Sequence, residues 1–183
     1  MLYIMRHGKT DWNELHKLQG RTDIPLNEDG RSMAGAAHDA CRDTHLDLCF
    51  SSPLKRAKET AEILLSGRDI PIRTDDRLME MSFGIYEGIE NSFAIPDCPI
   101  NLLFQDPASY KESIGGAETW DELFARADSF LDEMVYPEVR KGKDILIVGH
   151  GAMNSAIICR VKKLPIAEFW SNGIEQCRLM RLM

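Results

Sequence analysis

The stretch Leu2-Tyr3-Ile4-Met5-Arg6-His7-Gly8 decides the reading of this chain. Its apolar part is four residues long and is followed at once by Arg6, so it is too short for a signal-peptide core or a membrane segment. An unbroken apolar run of this length reads as a strand buried on both faces, as in parallel sheets, opening into a loop. Asp144-Ile145-Leu146-Ile147-Val148 is a second such run and ends at Gly149-His150-Gly151. Leu46 to Phe50 is a third, ending at Ser51-Ser52-Pro53, and Pro71 to Arg73 is a short fourth. Glu175 to Met183 alternates and suggests an edge or antiparallel strand.

Helical patterns separate these runs. Gly30 to Arg42 is rich in alanine. Leu54 to Leu65 brings Leu54, Ala57, Ala61, Leu64 and Leu65 to one face, with Ser52 expected as N-cap and Pro53 at the first helical position. Trp120 to Val139 carries Leu123, Phe124, Ala127, Phe130, Leu131 and Met134 at helical spacing, with Pro137 marking its expected end. Ala152 to Val161 follows the second His-Gly. Strands alternating with helices predict an α/β fold: a three-layer sandwich with a mostly parallel central sheet and helices on both faces. Residues 1–183 are read as one domain. The stretch from Ile89 to Ala117, with three prolines and weak periodicity, breaks the rhythm and is expected to be a lid-like insertion. Its Phe93, Phe104 and Tyr110 are candidates for an apolar pocket wall or, as the favoured use, for a small lid core.

The bulk composition narrows the function. With 183 residues, 44% hydrophobic and 28% charged, the chain has the make-up of a globular domain. A net charge of −7 without a concentrated run of Lys and Arg argues against nucleic acid as the partner. The five cysteines form no CxxC pair and several lie in apolar stretches, so a reducing, cytoplasmic setting is expected. No window approaches a membrane span, and oligomeric state is not legible. There is no Walker loop, HExxH or GxSxG elbow. Gly149-His150-Gly151 begins like a dinucleotide fingerprint, but Asn154 stands at the third glycine position.

Ligands of open α/β sheets bind beyond the carboxyl ends of the strands. Three runs deliver reactive groups there: Arg6 and His7 after the first, Arg56 after the third, and His150 after the last. Two arginines offer planar forks that match phosphate oxygens. One imidazole with a free lone pair can attack phosphorus, and the other can steady the equatorial oxygens. Glu80 in Met79-Glu80-Met81 is a source of the proton that the leaving alkoxide needs, with Glu87 as its nearest rival.

The blocks carrying these residues are Leu2 to Thr10 with Trp12-Asn13, Leu18-Gln19-Gly20, Asp23-Ile24-Pro25-Leu26, Ser51 to Ala57, Glu80 to Gly88, Gly116 to Thr119 and Val148 to Gly151. Together they resemble the histidine phosphatase superfamily, the phosphoglycerate mutase-like clan. The resemblance implies that His7 becomes a phosphohistidine. It implies that Arg6, Arg56 and His150 surround the phosphoryl group, joined by Asn13 and the Gly151 N–H, and that Glu80 is the general acid. Gln19 and Gly20 would lie near the rest of the substrate, and no metal or cofactor is required. Met79, Met81, Tyr86 and Ala117 depart from the commonest family pattern, which bears on pocket shape and substrate. The expected activity is hydrolysis of a small phosphorylated metabolite. A phosphoglycerate mutase and a non-catalytic phospho-ligand-binding domain are the alternatives. His7 is expected to be neutral, helped by its two cationic neighbours, with its other ring nitrogen donating to a backbone carbonyl.

Overall fold

A computed structural model describes all 183 residues, Met1 to Met183. Five strands form one sheet: β1 (Leu2–Arg6), β2 (Leu48–Ser51), β3 (Ile72–Thr74), β4 (Ile145–Gly149) and β5 (Met180–Arg181). Their spatial order is β3-β2-β4-β1-β5. The first four run parallel, and β5 alone is antiparallel, against β1. The register pairs Leu2 with Ile145 and Arg6 with Gly149, so β1 and β4 end level with each other.

Seven α-helices surround the sheet: α1 (Asp11–Glu14), α2 (Glu28–Ala40), α3 (Lys55–Leu64), α4 (Asn101–Gln105), α5 (Trp120–Phe130), α6 (Tyr136–Arg140) and α7 (Gly151–Lys162). Alternate strand residues point to opposite faces. Leu2, Ile4, Leu48, Phe50, Ile145 and Ile147 therefore join one core of 26 buried residues with α5 and α7. Tyr3, Met5, Cys49, Leu146 and Val148 join a second core of 12, against α2 and α3. Burial on both faces explains why β1 and β4 read as unbroken apolar runs. Each fully buried Leu, Ile or Phe contributes roughly 1.5–3 kcal/mol of transfer free energy. The second face is thin because small residues, Ala37, Ala57 and Ala61, let helices lie close to the strands.

The loop leaving β1 is pressed against the start of α2. A Cβ on Gly8 would stand 2.5 Å from the Gly30 carbonyl oxygen, and one on Gly30 would stand 2.1 Å from the Lys9 oxygen. This close approach fixes where His7 is held. The segment from Ile89 to Ala117 contains a 3-10 turn at Ser92–Ala94 and α4. It packs into the larger core through Cys98, Ile100, Leu103 and Tyr110. No helix is long and apolar enough to cross a membrane.

Three local expectations are corrected. Ser52 is not the N-cap of α3. Its hydroxyl accepts the N–H of Leu54, the cap residue is Leu54 in an extended conformation, and Asp23 accepts the Lys55 N–H from a distant loop. Pro137 does not end the helix that precedes it. The turn Leu131–Val135 widens into a π-turn, in which Tyr136 N–H bonds to Leu131 O, and Pro137 falls in the first turn of α6, where no donor is needed. The alternation from Glu175 to Met183 yields only a two-residue strand, because Cys177 adopts φ 55° and its N–H bonds to Arg6 O.

Candidate active site

The level ends of β1 and β4 place two histidines side by side. His7 lies one residue beyond β1 and its N–H donates to Gly149 O at 3.0 Å. His150 lies one residue beyond β4, at the head of α7. The ring centroids are 5.1 Å apart and the rings are tilted by 59°. Both side chains are buried.

His7 Nδ1 is 2.6 Å from Gly8 O. A carbonyl only accepts, so Nδ1 carries the hydrogen and Nε2 keeps a bare lone pair. That lone pair faces Arg56 Nε at 3.3 Å, which donates to it. The His7 pKa lies well below the ordinary histidine value. Burial is the largest cause, followed by the positive charges of Arg56 and Arg6, while the Gly8 carbonyl opposes the shift. The neutral imidazole expected from sequence is therefore found, but desolvation outweighs the cations that the sequence pointed to. The His150 pKa is lowered in the same way, first by burial and then by Arg56, His7 and Arg6. Neither His150 ring nitrogen has a hydrogen-bond partner in the protein. Two orphaned buried nitrogens carry a desolvation penalty that a bound oxyanion would relieve.

Arg56, in the first turn of α3, is fully buried. Nη1 donates to Thr22 O at 2.8 Å and Nη2 to Gly20 O at 2.7 Å. Burial pulls its pKa down to about 10, which leaves it charged at neutral pH. Arg6 lines the same cavity with a buried, unpartnered Nε. Its pKa is likewise lowered by burial, with the Glu80 carboxylate opposing.

Glu80 is buried against the head of α7. Oε1 accepts the N–H groups of Met81 (2.9 Å) and Met153 (3.0 Å), and Oε2 accepts that of Ala152 (3.1 Å). Because His150 offers no capping oxygen, a carboxylate 72 residues away in sequence caps this helix. Asn13 closes the capping box of α1 with Thr10. Its Oδ1 accepts Thr10 N, Thr10 Oγ1 and Gln176 Nε2 at 3.0–3.1 Å, which turns its Nδ2 donor elsewhere.

Arg6, His7, Asn13, Gln19, Gly20, Arg56, Glu80 and Gly151 all line one cavity of about 260 Å3. The His150 ring stands next to His7, with its centroid 5.1 Å away. Gln19 Oε1 is buried there without a partner. Gly20 adopts φ 54°, and a Cβ on it would stand 2.1 Å from Glu87 Oε1. Nowhere in the chain do three or more His, Cys, Asp or Glu residues group to hold a metal ion.

Glu87, the rival acid, is elsewhere. Its carboxylate accepts Arg21 N, Thr22 N, Thr22 Oγ1 and Phe83 N at 2.6–3.1 Å. It thus ties the 19–23 loop, whose carbonyls hold Arg56, to the loop at Phe83. The sequence reading missed this role, and it missed Gln176 behind Asn13. It also missed Lys17, Leu18, Phe83 and Trp170 on the cavity wall. Phe83 and Glu87 lie inside a recognised block, which was the available signal. Of the three insertion aromatics, Phe104 lines the cavity, Tyr110 is buried with its hydroxyl donating to Glu118 O, and Phe93 is 61% exposed against Phe104.

The model of the histidine phosphatase superfamily (branch 1) matches residues 2–183. A 2,3-bisphosphoglycerate-dependent phosphoglycerate mutase of Cytophaga hutchinsonii is 31% identical over 166 residues, covering 90% of this chain and 78% of that protein. The uncharacterized phosphatase PhoE of Bacillus subtilis is 35% identical over 160 residues, covering 86% and 75%. Among solved structures, Bacillus stearothermophilus YhfR superposes with a TM-score of 0.85 at 31% identity, covering 97% of this chain and 88% of that one. A match over nearly the whole length, on a sheet that brings two histidines and two arginines to one rim, settles the family: the chain belongs to the histidine phosphatase superfamily.

Proposed function

We propose that this protein is a metal-independent phosphomonoesterase that works through a phosphohistidine on His7. The observation that carries the reading is His7 itself: its Nδ1 is committed to Gly8 O and the lone pair of its neutral Nε2 faces the buried Arg56. In the first step the Nε2 lone pair forms a bond to phosphorus, and the bond from phosphorus to the ester oxygen breaks. Glu80 transfers its proton to that oxygen, releasing the alcohol. Two N–H donors occupy Oε1 and one occupies Oε2, so Oε2 retains a lone-pair site for the proton. In the second step water attacks phosphorus, Glu80 takes the water's proton, and the Nε2–P bond breaks to release phosphate and restore His7.

Arg56 leaves His7 Nε2 to meet the phosphoryl oxygens through its Nε while its two terminal nitrogens stay on backbone carbonyls. Such a preorganised donor is worth about 2.7–4 kcal/mol where charge develops. His150 supplies one N–H to an equatorial oxygen, which ends the isolation of a buried nitrogen. Asn13 Nδ2, the free Arg6 Nε and the Gly151 N–H complete the anion site.

Phosphate release from a panel of phosphomonoesters, measured with a chelator present, tests this reading. Release that survives chelation and disappears in His7→Ala supports it, and acid-stable label retained on the protein would argue against a phosphohistidine. A mutase reading has one observation in its favour, the Cytophaga relative. Conversion of 3-phosphoglycerate to 2-phosphoglycerate outpacing phosphate release would select it. Silence in both assays would leave a phospho-ligand-binding domain.

A further inference from the structure

The cavity has two chemically different ends. Besides His7, Arg6 and Arg56, its wall carries Leu18, Phe83, Phe104 and Trp170. Phe104 is the centre of this wall: its ring centroid is 5.3 Å from Trp170 at an interplanar angle of 32° and 5.8 Å from Phe83 at 47°. The wall is held in place. Trp170 Nε1 donates to Leu103 O at 2.9 Å, on the helix that carries Phe104, and Phe83 is 6% exposed. These rings come from three separate parts of the chain and converge only here.

Arg6 and Arg56 sit at the phosphoryl end. Arg21, close in sequence, is turned away and pairs with Glu118 at 3.3 Å. Lys17 is the one other cation on the wall, and it lies 5.9 Å from the centroid of the Trp12 ring with Glu90 at 3.9 Å. A second phosphate or carboxylate on the substrate would find no guanidinium fork on this wall, only the Lys17 ammonium already shared with Glu90 and the Trp12 ring. The cavity volume of about 260 Å3 is near the lower limit of small-molecule sites.

We infer that the leaving group this site selects is a compact, uncharged body with one aromatic or apolar ring, stacked on Phe104 and Trp170. The inference rests on the phosphomonoesterase reading and adds the substrate class to it. An offset-stacked or edge-on ring uses the wall as aromatic pairs do elsewhere. The buried Gln19 Oε1, which has no partner, suits a hydroxyl donor on the same body.

Two alkyl esters with equally poor leaving groups isolate this effect from leaving-group chemistry: 2-phenylethyl phosphate and ethyl phosphate. The wild type is expected to prefer the first in kcat/KM by about tenfold or more, the scale of one stacked ring with its buried area. The ratio should fall toward one in Phe104→Ala and recover in part in Phe104→Leu. A ratio near one in the wild type, or 3-phosphoglycerate preferred over both, overturns the inference. Binding of 2-phenylethylphosphonate against ethylphosphonate, measured by calorimetry on the wild-type protein, keeps the two readings apart. A preference for the aromatic phosphonate without any turnover sustains the wall and sinks the phosphatase. Turnover without that preference does the reverse.

Discussion

The two ends of the cavity are built by different means. The phosphoryl end hangs from the sheet: His7 and His150 each follow a paired strand position, and Arg56 is in the first turn of a helix packed on that sheet. Its geometry is set by main-chain hydrogen bonds repeated along β1, β2 and β4. The aromatic end rests on a 3-10 turn, a five-residue helix and a loop near the C-terminus, joined by ring contacts and a few single hydrogen bonds. A reaction common to many substrates needs the first kind of rigidity. Discrimination among substrates needs a surface that can change without unsettling the sheet.

Arg56→Lys should separate the ends most sharply. A lysine cannot bond Gly20 O and Thr22 O while also reaching the phosphoryl group, so kcat/KM should fall by about 10²–10³ for every substrate alike. Steady-state kinetics on the two esters above checks this. A loss confined to one ester would erase the division between the ends.

Glu87→Gln comes next. Gln offers one acceptor oxygen where the carboxylate offers two, so the bonds to Arg21 N, Thr22 N, Thr22 Oγ1 and Phe83 N cannot all survive. The expected cost is about 1–3 kcal/mol in stability and about a tenfold drop in kcat, since the loop it anchors carries the acceptors of Arg56. Denaturant unfolding and kcat, compared with Glu87→Ala, check the pair of effects. Lost stability with unchanged kcat would show that Glu87 only joins loops.

The smallest effect is the response to mild acid. His7 and His150 have folded-state pKa values below their unfolded ones. Below the ordinary histidine value of about 6.5, the unfolded chain binds protons that the folded chain refuses, so stability declines as pH falls from there. His7 meanwhile stays neutral, and kcat/KM should change by less than about twofold from its protonation between pH 7.5 and 6. An acid limb centred near 6.5, or stability that rises on acidification, would break this account.

The sheet and the phosphoryl end were legible because their signals are local. Apolar runs ending in Arg6-His7 and Gly149-His150 show both the strands and what they deliver. What escaped was made by partners far apart. Glu87 meets Thr22 across 65 residues and Gln176 meets Asn13 across 163. Trp170 joins Phe104 only after the chain has passed through four of the five strands. Pro137 misled because a π-turn absorbs it, and Ser52 because a more distant aspartate shares the capping.

Arg56 is moored to two main-chain oxygens, and a main-chain oxygen survives any change of side chain. The clamp on Arg56 itself therefore asks nothing of the side chains at 20 and 22, although Thr22 and Asp23 hold the loop through Glu87 and the Lys55 N–H. Gly20 is the strictest position, because any other residue there meets both a left-handed φ and the Glu87 carboxylate. A saturation library over this loop should show its sharpest intolerance at that glycine and milder losses at Thr22 and Asp23, whose side chains bond Glu87 and the Lys55 N–H. Such an attachment is heritable without being spelled out in side chains, so a lineage can rewrite its substrate wall while the clamp passes down unchanged.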